Sequence, residues 1–253
     1  MRLCRGRIAS ILVVLGLLAA ASVITAAQIP LEEYDMALSA IPMMSHGRIL
    51  SAIESELGEP GFPADDMLQL IHRLASIPAQ DEDKEAILLL VTRAIERGQP
   101  VEGLIGVSFD LANALDEGLP ISEVINEALK GITQGASIVV IEAGIIQRLS
   151  LLREVRDLLF ERGIFRVPPD DPYIPPSALG AESFDLLVGE IADAVSDYLS
   201  GGGSPFDGDA LHGLVSDRLG RLANSVVPGE DVDLVLENIG PPDLTRVALV
   251  AIR

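Results

Sequence analysis

Apolar side chains recur every three to four positions along most of this chain. Met67, Leu70, Ile71 and Leu74 make one stripe, and Ile87, Leu90, Val91, Ala94 and Ile95 a second. Ile121, Val124, Ile125, Ala128, Leu129 and Ile132 make a third. Further on come Phe184, Leu187, Val188, Ile191, Val195 and Leu199, then Leu211, Leu214, Val215, Leu219, Leu222 and Val226. That spacing gathers each set on one face of an α-helix of roughly three to four turns. The run Ile138-Val139-Val140-Ile141 is β-branched and, taken alone, suits a buried strand. However, Ile138, Ile141, Ile145, Leu149, Leu152, Val155 and Leu159 continue at helical spacing, which predicts one long helix over about 136–162. The expected fold is all-α: an irregular array or bundle of antiparallel helical hairpins, with a long central helix near 136–162 and a smaller C-terminal helical part.

The corners between stripes share a form. Gly61-Phe62-Pro63, Gly98-Gln99-Pro100 and Gly118-Leu119-Pro120 each separate two apolar runs, and Gly135-Ala136-Ser137 is the same corner without its proline. Glycine supplies the left-handed residue that ends a helix. The residue before proline is pushed extended, and proline is expected in the first turn of the next helix. Acids follow (Asp65, Asp66, Glu102, Glu123), where the helix dipole favours them. Such short connections fold consecutive helices back on one another.

Val167 to Pro176 is proline-rich and must run extended. The expected organisation is therefore a leader over 1–27, a helical-hairpin domain over 28–165, a linker over 166–180 and a C-terminal helical region over 181–253. A flexible break at Gly201 to Pro205 divides that last region, and the apolar tail Leu244 to Ile252 is expected to be a short helix or an edge strand.

The leader reading rests on Arg2, Arg5 and Arg7 ahead of the apolar run Ile11 to Leu18, with Thr25-Ala26-Ala27 offering a cleavage site before Gln28. This predicts an exported protein, periplasmic or extracellular. The alternative is an uncleaved anchor, since Ile8 to Ala27 approaches the ~20 residues that span a bilayer. Cys4 is the single cysteine and precedes the run, so a mature protein would hold neither disulfide nor thiolate site. The chain carries 18 Lys+Arg against 38 Asp+Glu, a net charge of −20. Such a field repels nucleic acid and anionic lipid and suits a cationic ligand or another envelope protein.

Parts of the chain resemble a family of uncharacterised secreted bacterial helical proteins. The likeness rests on Asn126-Glu127-Ala128-Leu129-Lys130-Gly131, on Arg148-Leu149 with Leu152-Arg153-Glu154-Val155-Arg156, and on the Gly-x-Pro corners upstream. It covers roughly residues 62–163. Ala136 and Ser137 stand where the family has Val-Pro. The resemblance implies a fold and a compartment but no activity.

No pattern of residues points to chemistry. His46, His72 and His212 form no i, i+4 pair and no H-E-x-x-H occurs. Gly106-Val107-Ser108-Phe109-Asp110 begins a nucleophile-elbow phrase but lacks the closing glycine. Asp81-Glu82-Asp83, Asp170-Asp171, Asp207-Gly208-Asp209 and Glu230-Asp231-Val232-Asp233 supply oxygens. From Asp207, however, the calcium-loop register puts Leu211 and His212 where an oxygen ligand and glycine belong. Helix N-terminal placement accounts for these acids. The expectation is a non-enzymatic interaction module with no catalytic, cofactor or metal residues; the alternative is an envelope hydrolase using paired carboxylates.

Overall fold

The computed structural model describes residues 29–167, 178–223 and 226–252. The predicted leader lies outside them, as does most of the proline-rich stretch. The described residues form eleven helices: α1 Leu31–Leu38, α2 His46–Glu56, α3 Ala64–Ser76, α4 Asp81–Glu96, α5 Glu102–Asp116, α6 Ser122–Gln134, α7 Ile138–Glu161, α8 Ala181–Ser200, α9 Gly208–Leu222, α10 Gly229–Asn238 and α11 Pro241–Ala251. Two short strands, β1 Phe165–Val167 and β2 Ala178–Gly180, pair in parallel with Phe165 opposite Ala178. The protein is all-α, and Ile138 to Glu161 is one helix rather than a strand. Among the described residues no helix is long and apolar enough to cross a membrane.

The corners work as their residues dictate. Gly61, Gly98, Gly118 and Gly135 all have positive φ, a conformation that costs glycine little and other residues more. The prolines, however, lie slightly earlier than expected. Pro63 immediately precedes α3, while Pro100 and Pro120 are each followed by one more residue before α5 and α6 begin. The intervening Val101 and Ile121 are buried, and their carbonyls accept the first helical bonds from Ile105 N (2.8 Å) and Ile125 N (3.0 Å). The proline therefore fixes the extended approach, and the apolar residue after it plugs the core and opens the helix. In α11 two prolines do occupy the first turn.

From α1 to α7 each helix packs on the helix two places ahead of it: α1 on α3 on α5 on α7 in one row, α2 on α4 on α6 in the other. The inner faces are the predicted stripes, with Met67, Leu70, Ile71, Leu74, Ile87, Leu90 and Val91 all fully buried. Every step of the rows also carries a polar tie. Tyr34 Oη donates to Ala64 O (2.7 Å), Arg48 to Glu96 (2.7 Å), Arg73 to Asp116 (2.7 Å) and Ser122 Oγ to Asp83 (2.9 Å). In the last step Arg153 and Arg156, both on α7, donate to Glu117 at the end of α5 (3.1 and 2.7 Å). Burial, aided by Asp65 and Glu33, pushes the Tyr34 hydroxyl up to about 12, so it stays a donor.

The long α7 closes the array and carries the C-terminal helices. α8 and α11 pack on it, and α9 packs on both. The apolar core is continuous from Tyr34 to Ala251. α11 runs antiparallel to α7: Arg162 pairs with Asp243, Glu161 and Glu154 with Arg246, and Gln147 donates to the Ala251 carbonyl. The apolar tail is therefore a helix, and α7 is the partner surface it needs. α9 enters close to α11 at Gly208, where a Cβ would lie 2.6 Å from Thr245 Oγ1 and 2.9 Å from the Pro241 carbonyl carbon. The stripe assigned to α9 overruns the helix at its last member: the helix stops at Leu222, Val226 faces solvent, and Val227 takes the buried place.

Candidate functional site

The two halves meet along a groove of about 1090 Å³. One wall is built from helix ends of the array: the α3–α4 corner at Pro78 to Gln80, Asp83 in the first turn of α4, and the α5–α6 corner from Leu115 through Glu123. The other wall is α8, presenting Glu182, Asp185, Leu186, Gly189, Glu190 and Asp193. Those positions are spaced 0, 3, 4, 7, 8 and 11, which is one helical face, and it lies beside the buried stripe Phe184, Leu187, Val188 and Ile191. Arg148 and Leu152 of α7 and Arg166 of β1 lie along the same groove.

Both arginines are already committed. Arg166 holds Asp185 in a two-pronged pair at 2.9 Å for each bond, and Arg148 pairs with Asp193. Burial pushes the Asp185 carboxyl above its ordinary range even though Arg166 opposes it. At the rim, burial would raise Glu117, but hydrogen bonds from Arg153 and Arg156 overcome this and hold it below the usual carboxylate range. Glu123 is held above that range, first by the like charge of Asp193 and then by burial, with Arg148 pulling the other way. Among the described residues neither Glu123 nor Glu182 has an ion-pair partner. The groove thus has excess negative charge on both walls, and none of its lining residues is aromatic.

Of the residues weighed for chemistry in the sequence, Asp83 lines the groove, where it accepts from Ser122 Oγ (2.9 Å), and those that follow lie elsewhere. His72 is exposed on α3, and His212 Nε2 lies 3.1 Å from the Ile239 carbonyl. His46 meets Asp35 at 2.8 Å. Ser108 is buried inside α5 and donates to the Leu104 carbonyl (2.8 Å), an ordinary back-bond within a helix. Asp81 pairs with Lys84 in the first turn of α4, and Asp207 caps α9 by accepting from Ala210 N (3.1 Å). Glu230 and Asp231 occupy the first turn of α10, and Asp170-Asp171 lies outside the described residues. Among the described residues no three His, Cys, Asp or Glu side chains gather so as to hold a metal ion.

Sequence reasoning named no groove residue as a site. A usable signal existed in the helically spaced acids Glu182, Asp185, Glu190 and Asp193. Their opposing wall, 60 to 110 residues earlier in the sequence, carried none. Compared with known protein families, with curated proteins and with solved structures, the chain matches none of them.

Proposed function

We propose that this protein is a non-enzymatic, extracytoplasmic helical scaffold whose groove between the array and α8 receives a basic segment of another polypeptide. The observation that carries the reading is the groove's charge balance. Its two arginines are neutralised by its own aspartates, while Glu123 and Glu182 on opposite walls keep unpaired charge. Pre-paired arginines cannot repel a cationic guest, and acids on both walls complement one lying between them. The export assignment rests on the leader pattern of Arg2, Arg5 and Arg7 with the apolar run behind them.

A fluorescently labelled arginine-rich peptide is the probe. Any strongly acidic protein attracts such a peptide, so the test compares positions. The double variant Glu123→Gln with Glu182→Gln should weaken binding about tenfold, whereas Asp65→Asn with Asp66→Asn, in the exposed first turn of α3, should not. Equal effects from the two pairs would reduce the groove to general electrostatics.

One observation favours a second reading, an envelope hydrolase using paired carboxylates: the proton affinity of Glu123 is raised by Asp193 on the facing wall. Against it stand the open groove and the firm pairing of Asp193 and Asp185 with arginine. Hydrolysis of a glycoside or ester panel that Glu123→Gln abolishes would establish it.

A further inference from the structure

The groove does not stop at Arg148. That side chain also lines a second cavity of about 420 Å³, so the two hollows adjoin at α7. Both flanking walls run on across the junction. On α6, Glu123 lines the groove and Glu127, one turn later, lines the second cavity. On α8, Asp193 lines the first hollow and Ser196 the second. The acids at the junction sense one another: Asp193 first, then burial, and further Glu127 and Glu190, raise the Glu123 carboxyl against the pull of Arg148. Arg148 itself is already held by Asp193. α8 and α11 both end beside the second cavity, with Leu199, Ser200 and Ala251 in its lining. Neither helix carries a basic residue in its last turn, so both bring partial negative charge to the cavity.

Past the junction the lining turns aliphatic, with Leu151, Leu199, Ala251 and Ile252. Ile252 is 54% exposed there. Gly144, Gln147 and Leu151 share one face of α7, and Val140, four residues before Gly144, extends that face by a turn. Val140 is 64% exposed. The fold leaves both side chains without cover, at the edge of a hollow flanked by acids. A guest with basic side chains alone would fill the groove and leave this aliphatic lining in water, and removing it from water is favourable. The step from Glu123 to Glu127 is about 6 Å of helix, which an extended chain covers in about two residues.

We propose that the guest is bipartite: about two residues from its basic side chains it carries one large aliphatic side chain, which seats in the second cavity against Leu199, Ile252 and the Val140 turn of α7. This deepens the reading of the groove as a peptide site and rests on it. The test titrates the full chain with labelled arginine-rich peptides in matched pairs. One pair carries Leu or Ser two residues after the last arginine, and the other carries them two residues before the first. In one of the two orientations the Leu peptide should bind about tenfold more tightly than its Ser twin. Val140→Ser with Ile252→Ser, both at exposed positions, should cut that advantage to about twofold and leave the Ser peptides unchanged. An undiminished advantage in that variant would put the anchor elsewhere and overturn the site. Equal affinities within both pairs, with Glu123→Gln plus Glu182→Gln still weakening all four peptides, would overturn the anchor and leave the groove reading standing. No binding by any of the four would overturn both.

Discussion

The array of α1 to α7 and the C-terminal helices α8 to α11 bury similar aliphatic stripes but are joined differently. Within the array each helix from α1 to α5 packs on the helix two places ahead of it, and the polar ties span about 30 to 48 residues. The C-terminal helices depend on one element, α7, and some of their ties are more distant: Arg162 reaches Asp243 across 81 residues and Gln147 reaches Ala251 across 104. A stack of near-neighbour contacts loses little chain entropy per step, while the closure onto α7 must overcome a longer loop. The array should therefore be the more robust half, and the junction at α7 the place where the protein opens first.

The largest test strikes that junction. Phe184 is buried where α8 meets α7 and stacks on Phe160 with ring centres 5.6 Å apart. Phe184→Ala should cost about 3–5 kcal/mol. Hydrogen exchange should rise in α8 to α11 well before it does in α2 to α4; uniform loss of protection would show that the two halves open as one.

Asp243 is next. Burial would raise its carboxyl, but bonds from Arg162 and the Gly240 N–H outweigh this and hold it below the ordinary range. Its contribution is therefore present above the unfolded carboxyl range and is lost as pH falls through the depressed folded value. Asp243→Ala should destabilise by about 1.5–3 kcal/mol at neutral pH and by much less in strong acid, as read from denaturant titrations at both pH values.

Inside the array the matching pair is weaker. Arg48, with help from Arg93, lowers Glu96 to about 2, yet both partners are substantially solvated. Glu96→Gln should cost no more than about 1 kcal/mol at neutral pH, an effect that salt diminishes. A larger loss would mean that the polar ties, and not the stripes, hold the rows together.

Glu123 should behave in the opposite sense. Its raised folded value means that the native state binds the proton more tightly than the unfolded chain does. Its charge therefore opposes folding at neutral pH, and stability is regained as pH falls through the raised value. Glu123→Gln should stabilise the protein at pH 7 by about a few tenths of a kcal/mol given its exposure, read as a slightly higher melting temperature, and the gain should vanish once the pH falls below the ordinary carboxylate range.

Much of the architecture was legible because its causes are local. Periodicity of 3.6 marks Met67 to Leu74 or Ile138 to Leu159 as helix wherever they end up, and Gly98 or Gly118 terminates a helix through its own φ. α1 and α2, with short and mixed stripes, were not singled out. The parallel pairing of β1 with β2 was equally hidden, because three residues are too few to show alternation.

By itself the sequence determined an acidic, all-helical chain folding back at glycine corners, because each of those properties is decided within a turn or two of backbone. Only the tertiary structure decided that helix ends of the array face α8 across a groove, and that Arg148 and Arg166 are consumed there by Asp193 and Asp185. Those outcomes depend on which helix faces meet in space, and a repeat of three to four residues carries no information about partners dozens of positions away.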